Sequence, residues 1–156
     1  MTTVVASVDL GVMVADQRIT GEGPIAHVSK IVRIRDSIYG LAGAVMPAFL
    51  FLEWLQNTKR KRETLHKMIE ADYRSEFTVL ELSEAGLALL DGWGARVPIL
   101  DETYGIGTGA GIALSHMRRG MTPWDALKTS PELDECSGVY GEPQVEWLIP
   151  RELRED

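Results

Sequence analysis

The sequence predicts an α+β fold in which two antiparallel sheets lie between layers of helices. Its 156 residues, of which 45% are apolar and 25% charged, have the length and composition of a single globular domain spanning residues 1–156. Predicted strands come in hairpins instead of alternating singly with helices, which favours antiparallel over parallel sheets. Predicted helices form separate groups between the strands, so we expect them to cover the sheets from outside.

Two hairpins and a helix are predicted for the N-terminal half. Apolar and alternating runs predict strands at residues 2–8, 11–15, 30–34 and 37–43. The first two runs are nearly continuous in apolar residues, so we expect those strands to be covered on both faces. The glycine- and proline-containing segment 18–24 is predicted to be a loop. Pro47 suits the first turn of a helix, to which Phe49, Leu52 and Leu55 give an apolar core stripe.

The C-terminal half continues with strands, helices and a last strand. Strands are predicted at residues 76–82, 86–91 and 144–149, while segment 64–73 either extends the first helix or forms a second one. The glycines of segment 105–111 alternate, unlike those of dinucleotide-binding sites, and predict a turn that leads into a helix over 112–119. Thr122 is a natural N-cap with Pro123 at the first helical position, which predicts a final helix toward Leu133.

Composition and charge exclude several classes of function. The formal net charge of −7 and the pI near 5.0 argue against a nucleic-acid partner, and the basic run 59–62 is typical of a solvated helix end. The single cysteine, Cys136, forms no internal disulfide and fits a reducing compartment. The longest apolar stretch, 41–52, is too short to span a bilayer, and the chain opens without a secretion leader, so we expect a cytoplasmic location without membrane contact. The three histidines are scattered, so we expect no metal site, and no cofactor is indicated.

Thr2 is a candidate nucleophile that carries its own base. The side chain of Thr2 is small enough for an aminopeptidase to remove Met1, which leaves a hydroxyl and a free α-amine on one residue. A hydroxyl is a weak nucleophile by itself, and an α-amine with an ordinary pKa of about 7.7–8.0 can take its proton near neutrality. The start of the chain therefore indicates covalent catalysis, provided that the rest of the sequence supplies a site.

Asp16 and Lys30 are candidates for a functional ion pair. Asp16 ends one predicted strand and Lys30 begins another, so the two charges can meet and be partly desolvated. A lysine so placed beside a threonine hydroxyl favours the deprotonated oxygen. The alternative is an ordinary solvated pair, which is the more frequent fate of charges at strand ends.

Other polar and glycine residues have two possible readings each. At Gly43, a strand of small residues ends, which gives either a backbone N–H for an oxyanion or a turn that requires glycine. Thr108 can face a site with its hydroxyl. Asp134 and Ser137, three residues apart, can hold an ammonium group or a water; simple helix termination is the alternative.

Taken in order, these segments resemble the proteasome β-subunit and HslV peptidase family of N-terminal nucleophile hydrolases. Thr2–Val5 resembles the mature N-terminus of the family, and the run from Gly11 to Thr20 resembles its second strand with the supporting aspartate. Ser29–Ile34 resembles the segment of the active-site lysine, and Leu41–Gly43 resembles the oxyanion strand. Segment 107–109 resembles a Gly-Ser-Gly turn, with Thr108 in place of the serine. Segment 134–138 resembles the segment whose aspartate and serine bind the threonine amine.

The resemblance implies a four-layer αββα sandwich, the fold of the N-terminal nucleophile hydrolases, with a shortened central helical region. It also implies a homo-oligomer, as a ring or a smaller assembly, and it raises an ATP-dependent unfoldase as a partner. The segment between Gly43 and Glu76 is too short for the two long helices of the family, which make contacts between stacked rings. This contraction argues against a double-ring barrel and against the unfoldase.

The activity implied by the resemblance is that of a threonine protease acting on peptides or unfolded chains. In this reading Thr2 attacks, Asp16 fixes Lys30, the Gly43 N–H binds the oxyanion, and Thr108, Asp134 and Ser137 orient the amine and a water. The family's first substrate pocket corresponds here to an apolar site lined by Ile19, Thr20, Leu41 and Val45. Two alternatives remain: an amidase for a small amide, and a catalytically idle module for assembly or binding.

Overall fold

The computed structural model describes residues 2–16, 18–19, 26–27, 29–129 and 143–149. The strands are β1 (Thr3–Ser7), β2 (Val12–Ala15), β3 (Arg18–Ile19), β4 (Ala26–His27), β5 (Ile31–Ile34), β6 (Ser37–Gly43), β7 (Phe77–Ser83), β8 (Gly86–Leu90), β9 (Arg96–Ile99), β10 (Thr103–Gly107) and β11 (Gln144–Trp147). The helices are α1 (Val45–Gln56), α2 (Arg62–Met68), α3 (Ala110–Arg118) and α4 (Pro123–Thr129), and a 3₁₀ turn covers Ala71–Tyr73.

The strands form two antiparallel sheets and one short pair. The first sheet has the order β10-β1-β2-β11, the second has the order β5-β6-β7-β8-β9, and β3 pairs with β4. All strand pairs described are antiparallel. The predicted α+β sandwich of two antiparallel sheets is therefore confirmed.

Three apolar clusters hold the layers together, because successive side chains of a strand point to opposite faces of its sheet. On β1, Val4 and Ala6 belong to the cluster between the two sheets, whereas Val5 belongs to the cluster with α3 and α4. A third cluster joins the other face of the second sheet to α1 and α2. The order of layers is helices, sheet, sheet, helices, and the continuous apolar run of β1 reflects its burial on both faces.

The helices agree with their predicted start signals. Pro47 lies in the first turn of α1, and the hydroxyl of Thr122 accepts a hydrogen bond from the Asp125 N–H at 3.2 Å before α4. The segment predicted at 64–73 forms part of a separate helix, α2, and the 3₁₀ turn. The predicted continuation of α4 over residues 130–133 lies outside the described residues. No helix in the described ranges is both long enough and apolar enough to cross a membrane.

Four details differ from the sequence-based expectations. The predicted loop 18–24 begins with strand β3, and strand β9 was not predicted at all. Segment 103–107 is strand β10 and not a turn, because its glycines let β10 approach β1 closely: a Cβ at Gly105 would lie 2.9 Å from the Val4 carbonyl oxygen. Phe49 is 37% exposed and does not belong to the core stripe, whereas Leu52 and Leu55 do.

Candidate active site

The backbone around Thr2 is fixed from two sides. Thr2 directly precedes β1, in which Thr3 lies opposite Gly107 of β10 and Val4 lies opposite Ala15 of β2. A Cβ at residue 107 would overlap the Thr2 carbonyl oxygen, so this close approach requires glycine. Thr2 itself is partly buried at the end of the first sheet. Its position is therefore set by backbone packing on both neighbouring strands.

Asp16 and Lys30 form a buried ion pair next to this strand. The Lys30 ammonium lies 2.9 Å from Asp16 Oδ2, and the Thr3 N–H donates to Asp16 Oδ1 at 2.8 Å. Asp16 has no solvent-exposed surface and Lys30 retains 5%. The pair is thus desolvated, in contrast to the solvated alternative, and it is joined to the residue that follows Thr2.

Burial determines the protonation behaviour of Lys30. Desolvation lowers the pKa of the Lys30 ammonium from its ordinary value, while the charge of Asp16 and its hydrogen bond act in the opposite direction. The net result is a lysine whose pKa lies below that of a solvated lysine. Such a group can exchange a proton with a neighbouring hydroxyl more readily than a surface lysine can.

Gly43 ends β6 with a backbone conformation that favours glycine. Its φ is +100°, and a Cβ would overlap the carbonyl oxygen of Glu76, the residue that precedes the neighbouring strand β7. The conformation requires glycine, as the first of the two readings from the sequence holds. Gly43 also borders the same cavity as Thr2, as its second reading, an oxyanion-binding N–H, requires.

Two cavities meet at Thr2 and Gly43. The smaller one is the more closed of the two, has a volume of about 20 Å³, and is lined by Thr2, Ser29, Lys30, Leu41, Gly43, Val45, Ala48 and Phe49. The larger one is an open cleft of about 570 Å³ lined by Thr2, Ala42, Gly43, Ser75, Glu76, Phe77, Thr78, Gly107 and Thr108. Most of the residues predicted from the sequence are therefore brought together, with Leu41 and Val45 on one side of Thr2 and Thr108 on the other.

The remaining predicted residues are not all within the described ranges. Asp134, Ser137 and Thr20 lie outside them, as does Met1. The backbone of Ile19 forms part of β3, and its side chain is outside the description. For these positions the roles implied by the family resemblance stay predictions.

Two residues at the site were missed by the sequence interpretation. Phe49 borders the small cavity four positions after Val45, so the helical spacing from Val45 was a usable signal. Gln144, at the start of β11, holds the backbone on both sides of Lys30 through its side-chain amide. Nothing local distinguishes this glutamine, because its partners are distant in the sequence.

Comparisons with solved structures extend over nearly the whole chain. No protein-family model and no curated protein sequence matches it. The chain is similar to Thiobacillus denitrificans BPH, with a TM-score of 0.65 and 18% identity over 96% of this chain and 98% of that one. BPH in complex with epoxomicin gives a TM-score of 0.58 and 18% identity over 96% and 99%. Eukaryotic HslV from Trypanosoma brucei gives a TM-score of 0.59 and 22% identity over 92% and 97%.

These similarities agree with the layer order and with the strand hairpins described above. At such identities they concern the path of the backbone, and they leave the chemistry of the site to be argued from its own residues. The resemblance predicted from the sequence is thereby confirmed at the level of the fold, and this chain has the fold of HslV from Trypanosoma brucei.

Proposed function

We propose that this protein is a threonine peptidase whose nucleophile is Thr2, exposed by removal of Met1. The observation that carries the proposal is the buried Asp16–Lys30 pair: Asp16 is bonded to Thr3, the residue after Thr2, and Lys30 borders the same cavity as Thr2 and Gly43. Burying two charges costs more free energy than an apolar pair of the same volume, so an ion pair in this place calls for a chemical reason. Lowering the proton affinity of a nearby hydroxyl is such a reason.

The reaction begins with attack of Thr2 Oγ on the carbonyl carbon of the substrate amide. The Thr2 α-amine takes the hydroxyl proton, and the Lys30 ammonium, held by Asp16, stabilises the oxygen as the proton leaves. The carbonyl oxygen becomes an oxyanion that the Gly43 N–H stabilises. The carbon–nitrogen bond then breaks, the leaving amine receives the proton, and an ester between Thr2 and the acyl group remains.

Water completes the cycle by hydrolysing this ester. The α-amine takes a proton from the water, whose oxygen attacks the ester carbon, and the proton returns to Thr2 Oγ as the acid leaves. We assign Thr108, Asp134 and Ser137 to orienting the amine and the water, on the basis of the family resemblance. Thr108 borders the open cleft together with Thr2, which supports its part of the assignment.

The shapes of the two cavities support a peptide substrate. The open cleft of about 570 Å³ runs past Gly43 and the ends of β7 and β10, where an extended chain has room. The smaller cavity of about 20 Å³ has mainly apolar walls and holds little more than one water-sized group. We expect it to accept a small apolar side chain on the acyl side of the scissile bond, with Leu41 and Val45 as walls and Ile19 and Thr20 as further contacts.

We further propose that the protein works as a homo-oligomer in the cytoplasm. Met46 is 71% exposed on α1 and continues an apolar surface through Phe49, which is the kind of surface that oligomers cover. Native mass spectrometry tests this part independently of activity. A monomer at micromolar concentration would contradict it.

The central experiment compares the wild-type protein with Thr2→Ala and Thr2→Ser. Intact mass first establishes that Met1 is gone in all three, since each second residue permits its removal. We expect the wild type to hydrolyse fluorogenic peptides with small apolar residues, Thr2→Ser to retain part of the activity, and Thr2→Ala to lose it. Incubation with epoxomicin, the ligand in the BPH complex, is expected to give an adduct on the N-terminal peptide that Thr2→Ala lacks.

Hydrolysis that persists unchanged in Thr2→Ala would overturn the mechanism. If none of the peptides is cleaved while Thr2 is free, a panel of small amides tests the amidase alternative.

A further inference from the structure

We propose that Gln144 is a positioning residue that holds Lys30 at Asp16 by fixing the backbone on both sides of the lysine. The positioning itself is a property of the structure. Its consequence for catalysis rests on the function proposed above. Gln144 belongs to the last described strand, β11, at a distance of more than a hundred positions from Lys30 in the sequence.

Both the oxygen and the NH₂ group of the Gln144 side-chain amide form hydrogen bonds. Its Oε1 accepts from the Lys30 N–H at 2.8 Å and from the Ile31 N–H at 3.2 Å. Its Nε2 donates to the Ile31 carbonyl at 3.0 Å and to the Ser29 hydroxyl at 2.7 Å. One side chain therefore bonds three consecutive residues with Lys30 in the middle, with the oxygen of its amide as acceptor and the NH₂ group as donor.

The backbone of Gln144 is fixed just as firmly to the other half of the ion pair. In the pairing of β11 with β2, Gln144 lies opposite Ala15, the residue that precedes Asp16. Asp16 itself is held by the Thr3 N–H at its carboxylate and by the Thr3 carbonyl at its own N–H. Gln144 thus connects the strand that carries Asp16 to the strand that carries Lys30.

This connection is needed because β5 is an edge strand of the second sheet. Its inner side pairs with β6, where the Leu41 N–H donates to the Lys30 carbonyl at 2.9 Å, but on its outer side the described residues contribute no further strand to that sheet. An edge strand without further contacts has freedom to shift along or away from its sheet. A shift of 1 Å is enough to change a catalytic rate about a hundredfold.

A second contact at the far end of β5 keeps the two sheets joined without Gln144. The guanidinium of Arg33 donates to the Leu148 carbonyl at 2.9 Å and also to the Trp147 carbonyl. Removal of the Gln144 amide is therefore expected to loosen residues 29–31 locally and to leave the sandwich folded. This separates a positioning role from a general contribution to stability.

The experiment compares Gln144→Met with Gln56→Met. Methionine keeps the length of the side chain and removes its hydrogen bonds, and Gln56 is an exposed glutamine at the end of α1 that serves as the matched control. The first readout is amide hydrogen exchange of residues 30 and 31. We expect exchange to be at least about tenfold faster in Gln144→Met and unchanged in Gln56→Met, because the acceptor of both amides is lost.

The second readout is steady-state kinetics on the best peptide substrate. For Gln144→Met we expect kcat to fall by about tenfold or more, because Lys30 is displaced from the reacting hydroxyl, and KM to change by a smaller factor, because Ser29 and Lys30 form only part of the wall of the small cavity. Gln144→Glu retains an acceptor for the Lys30 N–H. Its second carboxylate oxygen, however, replaces the Nε2 donor 3.0 Å from the Ile31 carbonyl, so two acceptors meet and we expect faster exchange at residues 30 and 31. This variant serves as the test if Gln144→Met does not fold, and unchanged exchange in Gln144→Glu would overturn the proposal.

Failure of the inference and failure of the proposed function have different signatures. If the wild type is active but Gln144→Met has unchanged exchange and unchanged kcat, the inference is wrong and the function stands. If the wild type shows no hydrolysis that depends on Thr2, the proposed function is wrong. Hydrogen exchange in Gln144→Met then tests the inference by itself: faster exchange supports the positioning of Lys30 by Gln144, and unchanged exchange overturns it.

Discussion

Replacing Asp16 by asparagine tests the buried ion pair most directly, because the substitution removes the charge and keeps the shape. The Lys30 ammonium, 5% exposed and 2.9 Å from Asp16, then loses the carboxylate that compensates its burial. Breaking a buried pair from one side costs about 3–5 kcal/mol. We therefore expect Asp16→Asn to reduce the free energy of unfolding at pH 7 by that amount.

The free energy of deprotonating Lys30 sets an independent upper limit on this loss of stability. A lysine can avoid a buried charge by becoming neutral, which costs about 1.4 kcal/mol for each pH unit between the ambient pH and its ordinary pKa of about 10.4. At pH 7 this sum is about 5 kcal/mol, so the loss in Asp16→Asn cannot greatly exceed that value. The two magnitudes agree.

The pH dependence of this loss has a definite sign. Burial lowers the pKa of Lys30, and Asp16 opposes the effect, so removal of Asp16 lowers the pKa further. The folded variant then binds fewer protons than the unfolded chain over the range between the lowered pKa and the ordinary one. Its stability rises with pH in that range. The deficit relative to wild type shrinks as the pH rises from the pKa of Lys30 in the variant to that of Lys30 in the wild type, which is itself below the ordinary value.

The assay is urea unfolding at pH 7 and pH 9.5, with Asp36→Asn as the matched control. Asp36 is exposed in the turn between β5 and β6, so the same substitution there should change stability by less than about 0.5 kcal/mol. A deficit for Asp16→Asn below about 1 kcal/mol at pH 7 would refute the argument for a buried charged pair. So would a deficit that stays the same at the higher pH.

Three further substitutions test other parts of the site. The Thr3 hydroxyl is buried without a hydrogen-bond partner in the described part of the chain, so Thr3→Val should unfold at an unchanged or higher urea concentration; a loss above about 1 kcal/mol would reveal a partner. Phe49→Ala enlarges the small cavity, so kcat/KM for peptides with a bulky apolar residue should rise relative to kcat/KM for peptides with alanine. An unchanged ratio of these two values would contradict the assignment of Phe49 as a wall of the cavity. Gly43→Ala should lower the free energy of unfolding by at least about 1–3 kcal/mol. The loss should exceed that of Gly86→Ala, because Gly86 also has a positive φ, +112°, but a Cβ there would meet no atom within 4 Å. Equal losses would show that backbone overlap at Gly43 is unimportant.

The parts of the fold that follow from local sequence were predictable. The hairpins β1–β2, β5–β6 and β7–β8 join neighbouring segments, and their apolar patterns and turns are visible in short windows. Strand β10 was not recognisable, because its glycines oppose strand formation and its partner β1 lies at the other end of the sequence. Strand β9 contains Pro98 and has largely exposed side chains, so it lacks the pattern of a buried strand.

The same distinction applies to the site. Thr2, Asp16, Lys30 and Gly43 each stand at the end of an apolar segment. The first two flank strands of the first sheet, the other two lie at ends of strands of the second, and all four meet at one end of the sandwich. Their grouping could therefore be inferred, although burial of the ion pair could not, since exposure depends on which segments cover it. The role of Gln144 could not be predicted from the sequence, because a hydrogen-bonding side chain has no preferred partner until tertiary structure brings one within about 3 Å.

The central place of β1 in its sheet has a consequence for the order of events during synthesis. This strand needs both β2 and β10, and the residues of β10 leave the ribosome only after some hundred others have done so. Pairings between such distant segments form late, because a long loop must close first. The cleft around Thr2, which Gly107 and Thr108 help to line, is therefore among the last parts of the molecule to form. On the function proposed above, a chain that ends before β10 lacks the cleft beside Thr2, and we expect it to have no working centre with which to attack its neighbours.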